Sequence, residues 1–292
     1  MEFDPGPSLV EAAPYIAMFR DQIVVIELGS KLLDRPPELD RILPQIAVLC
    51  RAGLKPLVVH GGGKQVDEAC EARGLMPRKI HGRRITSPDV MAVVLDEVGG
   101  RINRTIVRGL RAQEVPARGY SDGLSGAVRC GRRPPSTVDG KKVDWGEVGD
   151  VAAVQTGLLL GDEQGPWSVP VLPSLGSLPD GSPVNVNADT VSSRVASSLR
   201  ARKLVFVTSV AGVMAEHDAT APISELTHSR ARALFDQGIV SGGMQSKIEE
   251  GLKALQGGVS RVHVISGMEP STLLREIFTE EGCGTSIVGE GE

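Results

Sequence analysis

Short runs of apolar, often β-branched residues alternate with longer segments of helical period along nearly the whole chain. Strands are expected at Ile23–Glu27, Pro56–His60, Val115–Arg118, Val169–Leu172, Leu204–Thr208, Val262–Ile265 and Thr285–Val288. Between them, the spacing of apolar positions predicts helices at Pro37–Ala52, Lys64–Ala72, Pro88–Ala112, Ala188–Ala201, Gly243–Leu255 and Ser271–Phe278. Strands alternating with helices of this length make βαβ units. The expected class is therefore α/β, with a mostly parallel open sheet covered by helices on both faces. Right-handed crossovers then bring the strand-to-helix turns to one edge of that sheet.

Two regions break the rhythm. Lys79–Thr86 and Val128–Val148 are rich in Gly, Arg, Lys and Pro and read as β-hairpins outside the main sheet. Ser8, followed by Leu-Val-Glu-Ala-Ala and Tyr15, predicts a capped amphipathic helix ahead of the first strand. The turn signal at Pro179–Ser182 suggests a boundary, dividing the chain into an N-terminal helix extension (1–20), a first lobe (21–178) and a second lobe (179–292), although the lobes can share one sheet.

Composition narrows the function. The net charge of −4 leaves no electrostatic footprint for nucleic acid, and 3% aromatic content leaves few stacking platforms. Cys50, Cys70, Cys130 and Cys283 are scattered without CxxC or His-paired spacing, so free thiols are expected and a metal site is not. The acidic, Pro/Gly-rich start lacks the features of a signal peptide, and no apolar run reaches the roughly 18 residues of a membrane span, so a cytoplasmic protein is expected.

The candidate chemistry lies at glycine turns. Leu57–Glu68 (LVVHGGGKQVDE) runs from a strand through three glycines into a helix, and Ile23–Ser30 ends in a similar turn. Backbone without side chains lets a ligand approach, and a helix start offers unpaired N–H groups to an anion. A tight corner with no ligand explains a lone triple glycine equally well. Asn185–Asp189 (NVNAD) precedes a small-residue helix and suits either an N-cap or a polar site. In SGGMQSK, Lys247 falls on the first turn of the expected helix, where a cation is disfavoured unless an anion lies between them. Thr208–Val213 is a further glycine turn that can underlie a nucleotide. Arg83 and Arg84 are equally able to grip a carboxylate, and spacing does not choose between them.

Taken in order, AAPYIAMFR, VVHGGGKQVDE, GRRIT, GLSG, WGEVGDV, NVNADT, TSVAGV, SGGMQSK and IFTEEGCGT resemble the amino-acid kinase family over nearly the whole chain. The resemblance implies a three-layer αβα sandwich with an acyl-amino acid in the first lobe and ATP with Mg2+ in the second. It also implies γ-phosphoryl transfer to the side-chain carboxylate of N-acetyl-L-glutamate, a step of arginine biosynthesis. By position, it implies that Gly62 and Gly63 cradle the substrate, that Arg84 rather than Arg83 holds its α-carboxylate, and that Asn185 contacts it. Asp189 then organises the catalytic lysines and Lys247 neutralises charge. Gly29, Ser209, Val210, Ala211, Gly212, Val213, Met214, Ile239, Val240 and Ser241 fall where the family holds the nucleotide.

Departures accompany the match. Glu27 stands where the family has a lysine, Ser209 where an aspartate is common, and Ala127-Val128-Arg129 where Lys-Asp-Gly usually follows GLSG. Lys31 and Lys64 are candidate replacements for the missing lysine, Lys31 being assigned a catalytic place. Glu27 raises two alternatives: an impaired homologue serving as a binding or regulatory subunit, and a kinase for a related acyl-amino acid. Tyr15 and Glu281 resemble the arginine-inhibited hexameric branch, although Ser271 replaces its histidine. An arginine effector and a homodimer or trimer of dimers are the partners implied.

Overall fold

The computed structural model describes residues 6–34, 36–80, 82–121, 125–161, 165–216, 219 and 221–290. Its main sheet has eight strands: β1 (Ile23–Leu28), β2 (Lys55–His60), β3 (Ala117–Gly119), β4 (Val169–Pro173), β5 (Lys203–Thr208), β6 (Glu225–Leu226), β7 (Arg261–Ser266) and β8 (Thr285–Ile287). Their spatial order is β6-β8-β7-β5-β1-β2-β4-β3. Neighbours run parallel except β7 and β8, which are antiparallel.

Side chains of a strand alternate between faces, and here each face has its own core. Val24, Ile26 and Leu28 pack toward the helices Pro36–Arg51, Asn103–Ala112 and Thr272–Phe278. Val25, Leu57, Val59, Leu204 and Phe206 pack toward the helices Ala188–Ser198 and Gly242–Gln256. The result is the expected helix–sheet–helix sandwich. By the same alternation, Glu27 projects to the face of Val25, under the two helices that carry Asp189 and Lys247. β1 pairs with β2 on one side and β5 on the other, so both lobes share one sheet.

Three expectations need revision. The single helix expected over Pro88–Ala112 consists of Pro88–Val94, a wider π segment Leu95–Ile102, and Asn103–Ala112. A side chain on Gly99 would lie 2.2 Å from the Ser121 carbonyl, and Asn103 turns inward to donate to the Val171 carbonyl at 3.0 Å. Expanded turns of this kind recur at functional sites. Val128–Val148 is more than a hairpin. Val128–Arg132 pairs with Gly149–Val154, the hairpin Ser136–Val138/Lys141–Val143 sits between them, and Leu175–Ser177 and Pro183–Asn185 complete a four-stranded sheet. The buried side chains Val128 and Cys130 alternate along the first strand, and this apolar face draws it to a longer partner than the turn alone would supply. Three short helices, Ser30–Leu33, Thr156–Leu160 and His228–Asp236, carry too little periodicity to be expected from sequence.

Elsewhere the match is close. Ser8 caps the helix Leu9–Phe19 in a reciprocal capping box with Glu11. Lys79–Ile80 pairs with Arg83–Arg84 outside the main sheet, as expected. All four cysteines are free. Among the described residues no helix is long and apolar enough to cross a membrane. Gly123 and Leu124 of the GLSG segment lie outside the described residues.

Candidate active site

A cavity of ≈ 570 Å³ lies at the carboxyl ends of β1, β2 and β5, where open α/β sheets bind ligands. Its first wall is the triple glycine after β2. A side chain on Gly62 would meet Ile102 at 2.7 Å and Val98 at 2.8 Å, so the π segment seals that side and requires glycine. Gly63 has nothing within 4 Å of a built Cβ, leaving its backbone open to an occupant. The helix Gly63–Ala72 starts without a side-chain cap, and so does Gly242–Gln256, whose Gly243 and Met244 also line the cavity. Their first N–H groups therefore lack helical partners and suit an anion. Gln65 Nε2 donates to the Ser30 carbonyl at 3.0 Å, tying the two glycine turns together.

Arg84 is a buried part of the lining. It donates to Asp67 and, at 2.7 Å, to the Gly63 carbonyl, while Arg83 lines the same cavity but is exposed. Asn185 Nδ2 donates to Thr86 Oγ1 at 3.1 Å, and its side chain joins the lining. His60, fully buried beneath the glycines, serves packing. Its Nδ1 faces the Gly61 carbonyl at 2.9 Å, its Nε2 faces Asn103 at 3.0 Å, and burial pushes its pKa down to about 4, so it stays neutral.

The charged centre joins residues far apart in sequence. Lys247 Nζ donates to Asp189 Oδ1 at 2.6 Å and to Glu27 Oε2 at 2.7 Å, and sits 5.1 Å from the centre of the Phe206 ring. Lys247 is the sixth residue of the helix Gly242–Gln256 and so lies on its second turn, not the first as expected. Burial alone would lower the lysine, yet the two carboxylates hold it above its ordinary value. Glu27 is 2% exposed, and its pKa is raised as well. Burial raises it to about 7, against the pull of Lys247 and with the repulsion of Asp189. Asp189 is held further by Ser246 Oγ at 2.9 Å, and Asn187 caps its helix through Asp189 N–H and Thr190 N–H.

Lys31 lines the cavity and has no carboxylate partner among the described residues. Lys64 is paired with Asp34 and Glu68 and lies outside the lining. Gly29, Ser209 and Val210 line the cavity. Ala211, Gly212, Val213, Met214, Ile239, Val240 and Ser241 do not. Gly212 packs against Thr285 and Pro222, and Val213 N–H donates to Thr285 Oγ1 at 2.8 Å. Sequence reasoning missed Ser174, Ser246 and Arg133 in the lining. Ser246 was signalled only by its place beside Lys247.

A second cavity of ≈ 470 Å³ is lined by Tyr15, Phe19, Lys203, His263, Glu276 and Glu281, among others; Ser271 is not among them. His263 Nδ1 lies 2.5 Å from Glu276 Oε1, Lys203 Nζ donates to the Glu276 carbonyl at 3.1 Å, and Cys283 N–H donates to Glu276 Oε2 at 2.8 Å.

Residues 22–266 match the model of the amino acid kinase family. The chain belongs to the amino acid kinase family. Within it, the chain is 39% identical over 287 residues to the acetylglutamate kinase of Symbiobacterium thermophilum, covering 98% of each chain. It is 36% identical to that of Myxococcus xanthus, covering 98% of this chain and 95% of the other. Among solved structures it resembles N-acetylglutamate synthase from Neisseria gonorrhoeae complexed with coenzyme A and N-acetyl-glutamate, with a TM-score of 0.84 and 26% identity. The same synthase with coenzyme A and L-arginine gives a TM-score of 0.80 at 25% identity. The alignments cover 98% and 96% of this chain but only 65% and 64% of the synthase, so this family member spans about two thirds of its length.

Proposed function

We propose that this protein is an ATP-dependent kinase that phosphorylates the side-chain carboxylate of N-acetyl-L-glutamate, giving an acyl phosphate for arginine biosynthesis. One observation carries the reading: Gly62–Gly63, Arg84 and Lys247 converge on a single cavity, in a chain similar to acetylglutamate kinases from end to end. That end-to-end similarity also weighs against the binding-subunit alternative raised by Glu27.

The acceptor lies over Gly62 and Gly63 in the first lobe, with Arg84 on its α-carboxylate and Asn185 beside it. The nucleotide enters from the second lobe along Gly29, Ser209 and Val210. The residues fit phosphates, since Gly63 is open, two helix starts have no side-chain cap and Lys31 has no carboxylate partner among the described residues. The described residues contain no cluster of three or more metal-binding side chains, so magnesium belongs with the nucleotide. Bound with the nucleotide, the ion would supply positive charge beside the phosphates. The chain itself binds, aligns and neutralises. Its amides fix the acceptor in line, Asp189 and Ser246 orient Lys247, and Lys247 supplies positive charge where it develops.

The second cavity suits an arginine effector. Glu276 and Glu281 offer carboxylates for a guanidinium, and Tyr15 closes one side. A homodimer or trimer of dimers follows from the same resemblance. Incubation with ATP, magnesium, N-acetylglutamate and hydroxylamine tests the activity, and absence of hydroxamate would end this reading. Repeating the assay with arginine, alongside light scattering, tests the effector and the assembly.

A further inference from the structure

Lys247 is held between two carboxylates, so the ionised cluster carries one negative charge too many for a site that must receive anions. We propose that Glu27 is a positioning residue for phosphoryl transfer: as the anionic substrates fill the cleft it takes up one proton from solvent, which frees Lys247 from one of its two carboxylates to face the transferring group. The proposal rests on the kinase reading above.

The geometry decides which carboxylate yields. Asp189 uses both oxygens, one on Lys247 and one on Ser246, at the start of a helix whose dipole favours negative charge. Glu27 sits in a strand, gives one carboxylate oxygen to Lys247, and its side chain has no other hydrogen bond among the described residues. The charged groups facing it are Lys247 from the helix Gly242–Gln256 and Asp189 from the helix Ala188–Ser198. Its neighbours on the flanking strands, Val59 and Phe206, are uncharged. Lys31, in the short helix that follows β1, lines the same cavity, as do Glu249 and Glu250.

Magnitudes favour uptake over repulsion. A second negative charge about 4 Å from ionised Glu27 weakens binding by roughly three decades at an effective dielectric of 20. Protonating a carboxyl already raised to about 7 weakens it only about twofold at neutral pH. The proton is therefore the easier route, and the neutral acid keeps a hydrogen bond near Lys247 without competing for its charge.

The test titrates wild type and Glu27→Gln with magnesium AMP-PNP in the presence of N-acetylglutamate. Calorimetry at pH 8 in Tris and in HEPES separates proton uptake from binding heat. Wild type is expected to take up about one more proton per site than the variant. Its kcat/KM should also fall toward tenfold per pH unit above neutrality, a limb that Glu27→Gln lacks. Equal uptake, or superimposable pH profiles with hydroxamate still formed, overturns the proposal alone. No hydroxamate from either protein at any pH from 6 to 9 strikes the kinase reading itself. Should Glu27→Gln fail to melt cooperatively, Glu27→Met, neutral and of similar length, takes its place.

Discussion

Two buried charge clusters occupy opposite edges of one sheet, and only one of them carries a surplus of charge. At the carboxyl edge, two acids, Glu27 and Asp189, surround one cation, Lys247. At the amino edge, one acid, Glu276, is met by Lys203 and by His263, whose imidazole burial pushes toward the neutral form. The ionisation of each group follows from that count. Surplus acid leaves Glu27 raised to about 7 by burial, with Asp189 adding to it. With no second acid beside it, Glu276 moves down instead. Burial opposes its charge, yet His263, the Cys283 N–H and Lys203 together bring it down to about 2. Lys203, with less opposing charge than it needs, is lowered by burial to about 8. A cluster short of positive charge suits a site that meets anions only transiently, whereas one with a firmly ionised acid provides a standing partner for a cation.

The sharpest test of the contrast removes the shared cation. Lys247→Ala leaves two acids buried without a counter-charge and removes the transition-state partner, so kcat should fall by about three orders of magnitude, read from hydroxamate release. A fall of less than tenfold would break the assignment. At the opposite edge the expected effect is on stability rather than turnover. Glu276 is depressed below its unfolded value, so its contribution is present above about pH 4.5 and is lost as pH falls through about 2. Glu276→Gln should lose about 3 kcal/mol at pH 7, measured by urea denaturation, with little change in kcat.

Glu27 has the reverse sign. Its folded pKa lies above its unfolded value, so its favourable contribution is complete below about pH 4.5 and is lost as pH rises through about 7. Wild type should therefore lose up to about 3 kcal/mol relative to Glu27→Gln between pH 4.5 and pH 8. Parallel denaturation curves for the two proteins would show that the acid surplus is not felt. The smallest effect concerns Ser246. Removing its hydroxyl takes one hydrogen bond from Asp189, worth about 1 kcal/mol. Ser246→Ala should shift the alkaline limb of the kcat/KM profile by less than one pH unit while leaving the melting of the amino-edge cluster in place.

Much of this architecture is written in local pattern. All seven expected strands lie in the main sheet within two residues of their predicted bounds, because each is an apolar run closed by a turn signal. Lys247, Asp189, Arg84 and the two glycines are likewise visible, since each stands beside a helix start or a hairpin. What local pattern cannot carry is pairing. The Glu27–Lys247 contact spans 220 positions, and nothing near either residue announces the other. The π segment is hidden for a similar reason, because the close approach of Gly99 to the Ser121 carbonyl joins residues distant in sequence. The four-stranded side sheet escaped because its short strands, Leu175–Ser177 and Pro183–Asn185, hold too few residues to show alternation.

β1 lies between β2 and β5 and is hydrogen-bonded to both. Adjacent strands sit about 4.8 Å apart, so the loops leaving β2 and β5 are rooted roughly 10 Å from one another. That width is set by main-chain geometry and belongs to no individual side chain. It leaves a berth two strands wide, with the tip of β1 as its keel. An extra strand slipped into the seam would leave every residue named above in place and move the reactants out of each other's reach.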